Sequence, residues 1–266
     1  MDTGATLLVL AAIGATSGLL GGMLGIGGGV IIVPALIAFF DATGLIDAGE
    51  ITVVAVATSM ACIGFTSLSA AYAQFVAGKV LWPAFFRMVP FFVAGSFAAG
   101  LVAPSLPGDA LRAAIGVFLL AVGLVMVLNW KPAPHRSLPG IAGSGAVGLG
   151  GGFVAGIAGI AGGNVIVPTL IYFNTPAHNA TATSSAMGVP IAFAGASGYL
   201  LGTATTSASL AGFVHLPSWG VITLAAILFA PLGVRLAHAV PAQQLKQLFG
   251  GFLFLVAARM LATAVT

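Results

Sequence analysis

Charge is what this sequence has least of. Its 266 residues include only eight basic and five acidic side chains, 5% in all. A soluble domain carries about a quarter charged residues, so water is not the main solvent of this chain. Soluble enzymes, nucleic-acid binders and disordered chains are excluded together. The net charge of +3 is too small to point to a nucleic-acid partner. Cysteine is nearly absent as well. Cys62 is alone, which rules out an internal disulfide, and a single thiol is too few for a metal site; its apolar surroundings read as packing. No acidic residue lies inside a hydrophobic run, which removes carboxylate dyads, carboxylate-bound metals and the usual acid proton relay. His135, His178, His215 and His238 are scattered near the ends of these runs without ligand spacing. No Gly-x-Ser-x-Gly elbow stands with a base. The sequence therefore offers no catalytic constellation, no metal site and no cofactor site. The opening Met1-Asp2-Thr3-Gly4 lacks the positive region of a secretory signal, so the first apolar stretch reads as part of the mature protein.

What the chain has in abundance is apolar length and glycine: 59% hydrophobic residues and 38 glycines. At about 20 apolar residues per crossing, the hydrophobic runs fall approximately at 5–40, 51–76, 80–104, 111–130, 139–173, 178–202, 217–240 and 245–265. Residues 203–216, rich in Thr and Ser, read as a loop or as an extension of the preceding helix. The first and fifth runs are nearly twice the length of one crossing. Each has a glycine cluster in its middle and a proline after it, Pro34 or Pro168. Because glycine favours unwinding and close backbone approach, each run reads as two short helices meeting at a break.

The two long runs are copies. Aligning Pro34 with Pro168 lays Gly25–Leu36 (GIGGGVIIVPAL) on Gly159–Leu170 (GIAGGNVIVPTL), 134 residues apart. The same offset carries Pro107, Leu111, Arg112, Gly116, Phe118 and Leu119 onto Pro241, Leu245, Lys246, Gly250, Phe252 and Leu253. Ala57-Thr58-Ser59 meets Ala182-Thr183-Ser184 at an offset of 125, so compensating insertions separate the halves. The expected architecture is an all-α polytopic membrane protein of two repeats, residues 1–137 and 138–266, forming one transmembrane unit. Each repeat has a Gly-broken or re-entrant first segment followed by about three spanning helices. If each broken run turns back, the repeats are inverted. Lys79, Arg87, Lys131, Arg136, Arg235 and Lys246 then share one face, leaving Arg112 and Arg259 on the other. A single crossing instead splits the basic residues five against three. The positive-inside rule favours inverted repeats with both termini outside.

The residues left to carry function are polar and almost uncharged. An unwound glycine run leading into a helix presents free N–H groups and the positive end of a dipole, an arrangement suited to an anion. Unwound backbone at membrane depth lines a cavity or is buried by protein. The candidate binding set is therefore Gly27, Gly28, Gly29, Gly162 and Gly163, with hydroxyls from Thr58, Ser59, Thr183 and Ser184 and the amide of Asn164. Arg87 and Arg235, a turn or two inside their runs, read as snorkelling cations or as steering charges for an anion. Gly14, Gly18 and Gly22, like Gly148, Gly152 and Gly156, recur every fourth residue, as close helix packing requires. Trp82, Trp130, Trp219 and Tyr172 sit near run ends, as an interfacial aromatic belt would place them.

At these residues the sequence resembles the sulfite exporter family of the TauE/SafE type. The resemblance rests on the Gly25–Pro34 run and its echo at Gly159–Pro168, and on the Ala-Thr-Ser of both halves. Leu216-Pro217-Ser218-Trp219, leading to Arg235, Pro241 and Leu245-Lys246, adds to it. It covers essentially the whole chain, with one departure: Ala161 stands where the first repeat has Gly27. The resemblance implies alternating-access transport of a small sulfur-containing anion, such as sulfite, thiosulfate or an organosulfonate, across a prokaryotic cytoplasmic membrane. The partners expected are that anion and the lipid bilayer. An importer of the same anions, an anion channel and a non-transporting scaffold are the competing readings.

Overall fold

Two of the apolar runs break in the middle, at matching places. The computed structural model describes residues 3–24, 27–76, 78–128, 140–202, 204, 209–237 and 242–265. Helix α1 (Thr3–Leu24) ends before the first glycine cluster and α2 (Gly29–Thr43) begins after it. In the second half, α6 (Ile141–Ile157) and α7 (Gly163–Tyr172) flank the second cluster. Gly28 and Gly162 are the residues capping α2 and α7, and both have φ of +77°. That left-handed conformation is strained for any residue with a Cβ, which accounts for glycine at both positions.

The remaining helices are α3 (Ile51–Val76), α4 (Trp82–Val102), α5 (Gly108–Val127), α8 (Ala177–Leu200), α9 (Leu216–Ala237) and α10 (Ala242–Val265). A single 3₁₀ turn, Ala103–Ser105, follows α4. Within 203–216 the described part is a small hairpin, β1 (Leu210–Ala211) against β2 (Val214–His215), so this stretch does not extend α8. Among the described residues, six helices are long and apolar enough to cross a membrane: Thr3–Met23, Ile51–Val76, Trp82–Ser105, Gly108–Val127, Leu216–Gly233 and Gln247–Ala264. Large apolar side chains such as Leu8, Leu228, Leu248 and Leu255 point outward, each more than 70% exposed. A coat of this kind faces hydrocarbon rather than water. The chain is a multi-pass membrane protein built almost entirely of helices.

Helix α1 packs on α9, α4 on α6 and α8, α5 on α10, and α3 on α8. Exchanging the halves (α1 for α6, α4 for α9, α5 for α10, α3 for α8) returns the dominant contacts α1–α9, α4–α6, α5–α10 and α3–α8, as a two-fold relation between copies requires. The equivalent pairs run antiparallel. Gly116 of α5 faces Met260 and Leu261 of α10, while Gly123 faces Gly250 and Leu253. Along α3 and α8, Gly64 lies against Phe193 and Ser67 against Gly188. One end of the molecule gathers charge. Arg112 at the start of α5 pairs with Asp41 at 3.1 Å. Asp41 and Arg259 then share an apolar groove of about 280 Å³ between α2 and α10. Lys131, His135, Arg136, Trp130, His238, Pro241 and the side chain of Lys246 lie outside the described residues, as do Gly25, Ile26 and the boundary between the repeats.

The four-residue glycine ladders do pack helices. A Cβ on Gly18 would run into the backbone of Ala226 on α9, and one on Gly152 into the backbone of Phe92 on α4. Ala226 and Phe92 are themselves 134 residues apart, so this is one contact made twice. Gly18→Ala and Gly152→Ala are each expected to destabilise the protein by about 1–3 kcal/mol through overpacking. Gly251→Ala, on an open face of α10, is expected to have little effect. Thermal unfolding in detergent measures all three.

Candidate functional site

The two breaks touch each other at the centre of the fold. A Cβ on Gly29 would stand 2.6 Å from the Gly159 carbonyl oxygen, so the start of α2 rests on the unwound chain between α6 and α7. The hydroxyl of Ser59 donates to that same carbonyl at 2.9 Å, and Ser17 donates to the carbonyl of Gly28 at 3.2 Å. The Gly159 oxygen thus finds a hydroxyl donor, and the Gly28 oxygen, which also accepts from Ile31 and Ile32 of α2, finds a third. The Ser17 bond also shows the path of the chain. Ser17 lies two turns before the end of α1, so the backbone doubles back to reach it at Gly28.

Beside the contact is a small hollow of about 20 Å³, room for about one water molecule. Gly27, Ala161 and Gly163 supply its walls from the two breaks; Ser67 and Ala70 come from α3, and Ser184, Ser185 and Gly188 from α8. Ser184 is 2% exposed, and its hydroxyl has no hydrogen-bond partner among the described residues. The buried side-chain nitrogen of Asn164, in the first turn of α7, is likewise unpartnered there. Neither α2 nor α7 has a side-chain cap. Their first amides therefore lack intrahelical acceptors, and the positive ends of both helix dipoles converge on the same region. Asp41, Asp47, Glu50 and Asp109 all lie at helix ends or in loops, away from the lining.

The structure brings together Gly27, Gly163 and Ser184 in this lining, with Gly28, Gly29, Gly162, Ser59 and Asn164 in the surrounding breaks and helix starts. Thr58 and Thr183 stand apart. The Thr58 hydroxyl accepts the N–H of His215 at 3.0 Å, and the Thr183 hydroxyl accepts the N–H of Leu81 at 2.9 Å. Leu81 and His215 are again 134 apart and immediately precede α4 and α9. Each threonine therefore holds the residue just before a helix of the opposite half. Arg87 and Arg235 do not line the hollow. Arg87 has a buried Nε with no partner among the described residues, and Arg235 is exposed in the last turn of α9.

Sequence reasoning missed Ser67, Ser185 and Gly188. Gly188 was within reach, since residues four apart share a helix face and Ser184 leads to it directly. Ser67 had no such signal, because it comes from the other repeat. His215 was also read as merely terminal. It is 7% exposed, with Nδ1 2.8 Å from the Ser218 hydroxyl and its ring edge-on to Phe40 at 5.4 Å. Burial holds its pKa below the ordinary 6.5.

Two consequences are testable by thermal unfolding. Thr58→Val leaves the buried N–H of His215 unpaired and is expected to cost about 1–3 kcal/mol of stability; Thr183→Val, at the part-buried N–H of Leu81, is expected to cost less. For His215 the folded state disfavours the proton, so unfolding takes one up. Its contribution is complete above pH 6.5 and is lost as the pH falls below that value. The melting temperature is expected to drop on acidification, and less so in His215→Gln.

A profile of the family described as sulfite exporter TauE/SafE matches residues 10–260. A probable membrane transporter protein of Haemophilus influenzae is 28% identical over 96% of this chain and 97% of its own length. One from Methanocaldococcus jannaschii is 26% identical over 93% of this chain and 92% of its own. The probable membrane transporter protein YunE of Bacillus subtilis is 29% identical over 67% of this chain and 72% of its own. With the match running nearly end to end, the chain belongs to the sulfite exporter TauE/SafE family of membrane transporters.

Proposed function

We propose that the hollow between the breaks binds a small sulfur-containing oxyanion, such as sulfite or an organosulfonate, and that the protein exports it by alternating access. The observation that carries this reading is the buried, unpartnered Ser184 hydroxyl lining a hollow on which two uncapped helix starts converge. Amide and hydroxyl donors with no carboxylate among them favour negative cargo. An ion-coupled cation site would call for acidic side chains or a carbonyl cage.

The inverted arrangement of the repeats is supported by the antiparallel packing of α5 on α10 and of α3 on α8, since copies related by an axis in the membrane plane run in opposite directions. It is supported too by the grouping of Arg112 and Arg259 around Asp41, the two cations that the turn-back reading leaves outside. On this reading the termini face the outside of a cytoplasmic membrane. The water-sized hollow favours a carrier over an open pore. Admitting a three-oxygen anion requires Gly27 to move away from α8, a rearrangement that glycine breaks permit.

Energetics favour efflux. A monoanion leaving a negative-inside cell gains about 2.3 kcal/mol per 100 mV, and needs no coupled ion. In proteoliposomes, sulfite flux is expected to accelerate toward the positive side of an imposed potential without added sodium. Ser184→Ala is expected to slow it about tenfold, the loss of one buried hydrogen bond to a charged ligand, while the melting temperature holds. Flux that ignores the potential and requires a sodium gradient would overturn the reading.

A further inference from the structure

Duplication provides two copies of everything around the hollow, yet only one copy is open. Under the offsets that relate the repeats, Gly188 corresponds to Ile63, Ser185 to Met60, Ser67 to Ala192 and Gly27 to Ala161. Ile63, Ala161 and Ala192 form a small apolar cluster of their own. That cluster is the counterpart, member for member, of Gly188, Gly27 and Ser67. Contacts agree with the correspondence. A Cβ on Gly27 would lie 3.3 Å from Ile63 and one on Gly188 would lie 3.3 Å from Ala161, the same contact seen from each half. The difference is in what fills the space. Ile63 reaches over Gly29, and Met60 reaches Gly195, each into the position a Cβ would occupy there. Both side chains are fully buried. Where the open copy has two hydroxyls and a bare glycine, the closed copy has a methionine, an alanine and an isoleucine.

We propose that Ser67 and Ser184, grouped around Gly27 and Gly188, make up the protein's single oxyanion subsite, with Ser185, whose hydroxyl donates to the Thr181 carbonyl at 3.0 Å, only lining its wall, and that its duplicate is blocked by Ile63 and Met60. The protein then binds one anion per chain although its fold repeats the site twice. Ser59, the copy of Ser184, donates its proton to Gly159 and is a brace for the break rather than a ligand. The block is written into the sequence and does not depend on conformation, because Gly188 has no side chain with which to close the open copy. The choice of ligand rests on the anion reading above; the asymmetry rests on the packing alone.

Sulfite titrated calorimetrically into the detergent-purified chain is expected to saturate at one per chain. Gly188→Ile, which installs the plug in the open copy, is expected to weaken binding by about tenfold or more, read on protein shown to be folded. Should this variant not fold, Ser67→Ala combined with Ser184→Ala is expected to give the same loss. A stoichiometry of two, or a folded variant with unchanged affinity, overturns the proposal. A second measurement needs no cargo. In a Cys62→Ala background, Ser185→Cys is expected to react with a sulfonate-bearing methanethiosulfonate reagent and Met60→Cys to stay inert. Equal labelling of the two overturns the asymmetry. If the protein binds neither sulfite nor thiosulfate while Ser185→Cys alone is labelled, the anion reading fails and the asymmetry stands.

Discussion

Every peptide group at membrane depth needs a partner, and the centre of this protein is arranged around that need. Breaking a helix in hydrocarbon frees amides and carbonyls with no water to receive them, at several kcal/mol each. Here the Gly159 carbonyl is met by Ser59, the Gly28 carbonyl accepts from Ile31 and Ile32 of α2 and from Ser17, and the backbone of one break lies on the other. The carbonyls are thus satisfied within the protein. The first amides of α2 and α7 receive no side-chain cap. This imbalance, with acceptors covered and donors left over, gives the region its positive character without a single cationic side chain in the lining.

Duplication explains why the breaks can lean on each other. Each half reaches into the other at a helix start: Thr58 holds the amide before α9 and Thr183 the amide before α4. Glycines at matching places let α1 approach α9 and α6 approach α4. Neither half holds its own fourth helix start, so a repeat alone would lack that bond as well as a packing partner. Ser59 bonding to Gly159 and Ser96 bonding to Ile191 add to this exchange between the halves.

Much of this was legible in the sequence. Near-absence of charge gave the solvent, the doubled length of two runs gave the breaks, and the four-residue spacing of the glycines gave the close packing of α1 on α9 and of α6 on α4. The positions that cap α2 and α7 fell among the glycines singled out. What stayed hidden depended on which copy faces which. Thr58 and Thr183 looked like ligands because they are paired across the repeat, but repetition marks a structural brace as readily as a site. Ser67 was invisible because its importance comes from facing Gly188 of the opposite repeat, a relation that no spacing along one helix encodes. The burial of His215 against Ser218 and Phe40 was hidden for the same reason.

A carrier for anions gains from a site without fixed charge. At an effective dielectric of about 20, a guanidinium 4 Å from an anion contributes about 4 kcal/mol of attraction, and transport requires that the cargo leave as readily as it arrives. Two helix starts offer about half a charge each, spread over amides that stay with the backbone. Hydroxyls such as that of Ser184 add direction without adding charge. Such donors stabilise an anion enough to offset part of its desolvation, and they let it go when a glycine segment shifts. The arginines Arg112, Arg235 and Arg259 are outside the lining. On this view the glycines, the serines and the absence of charge from the hollow are one adaptation, and the apolar plug at Ile63 limits it to a single copy.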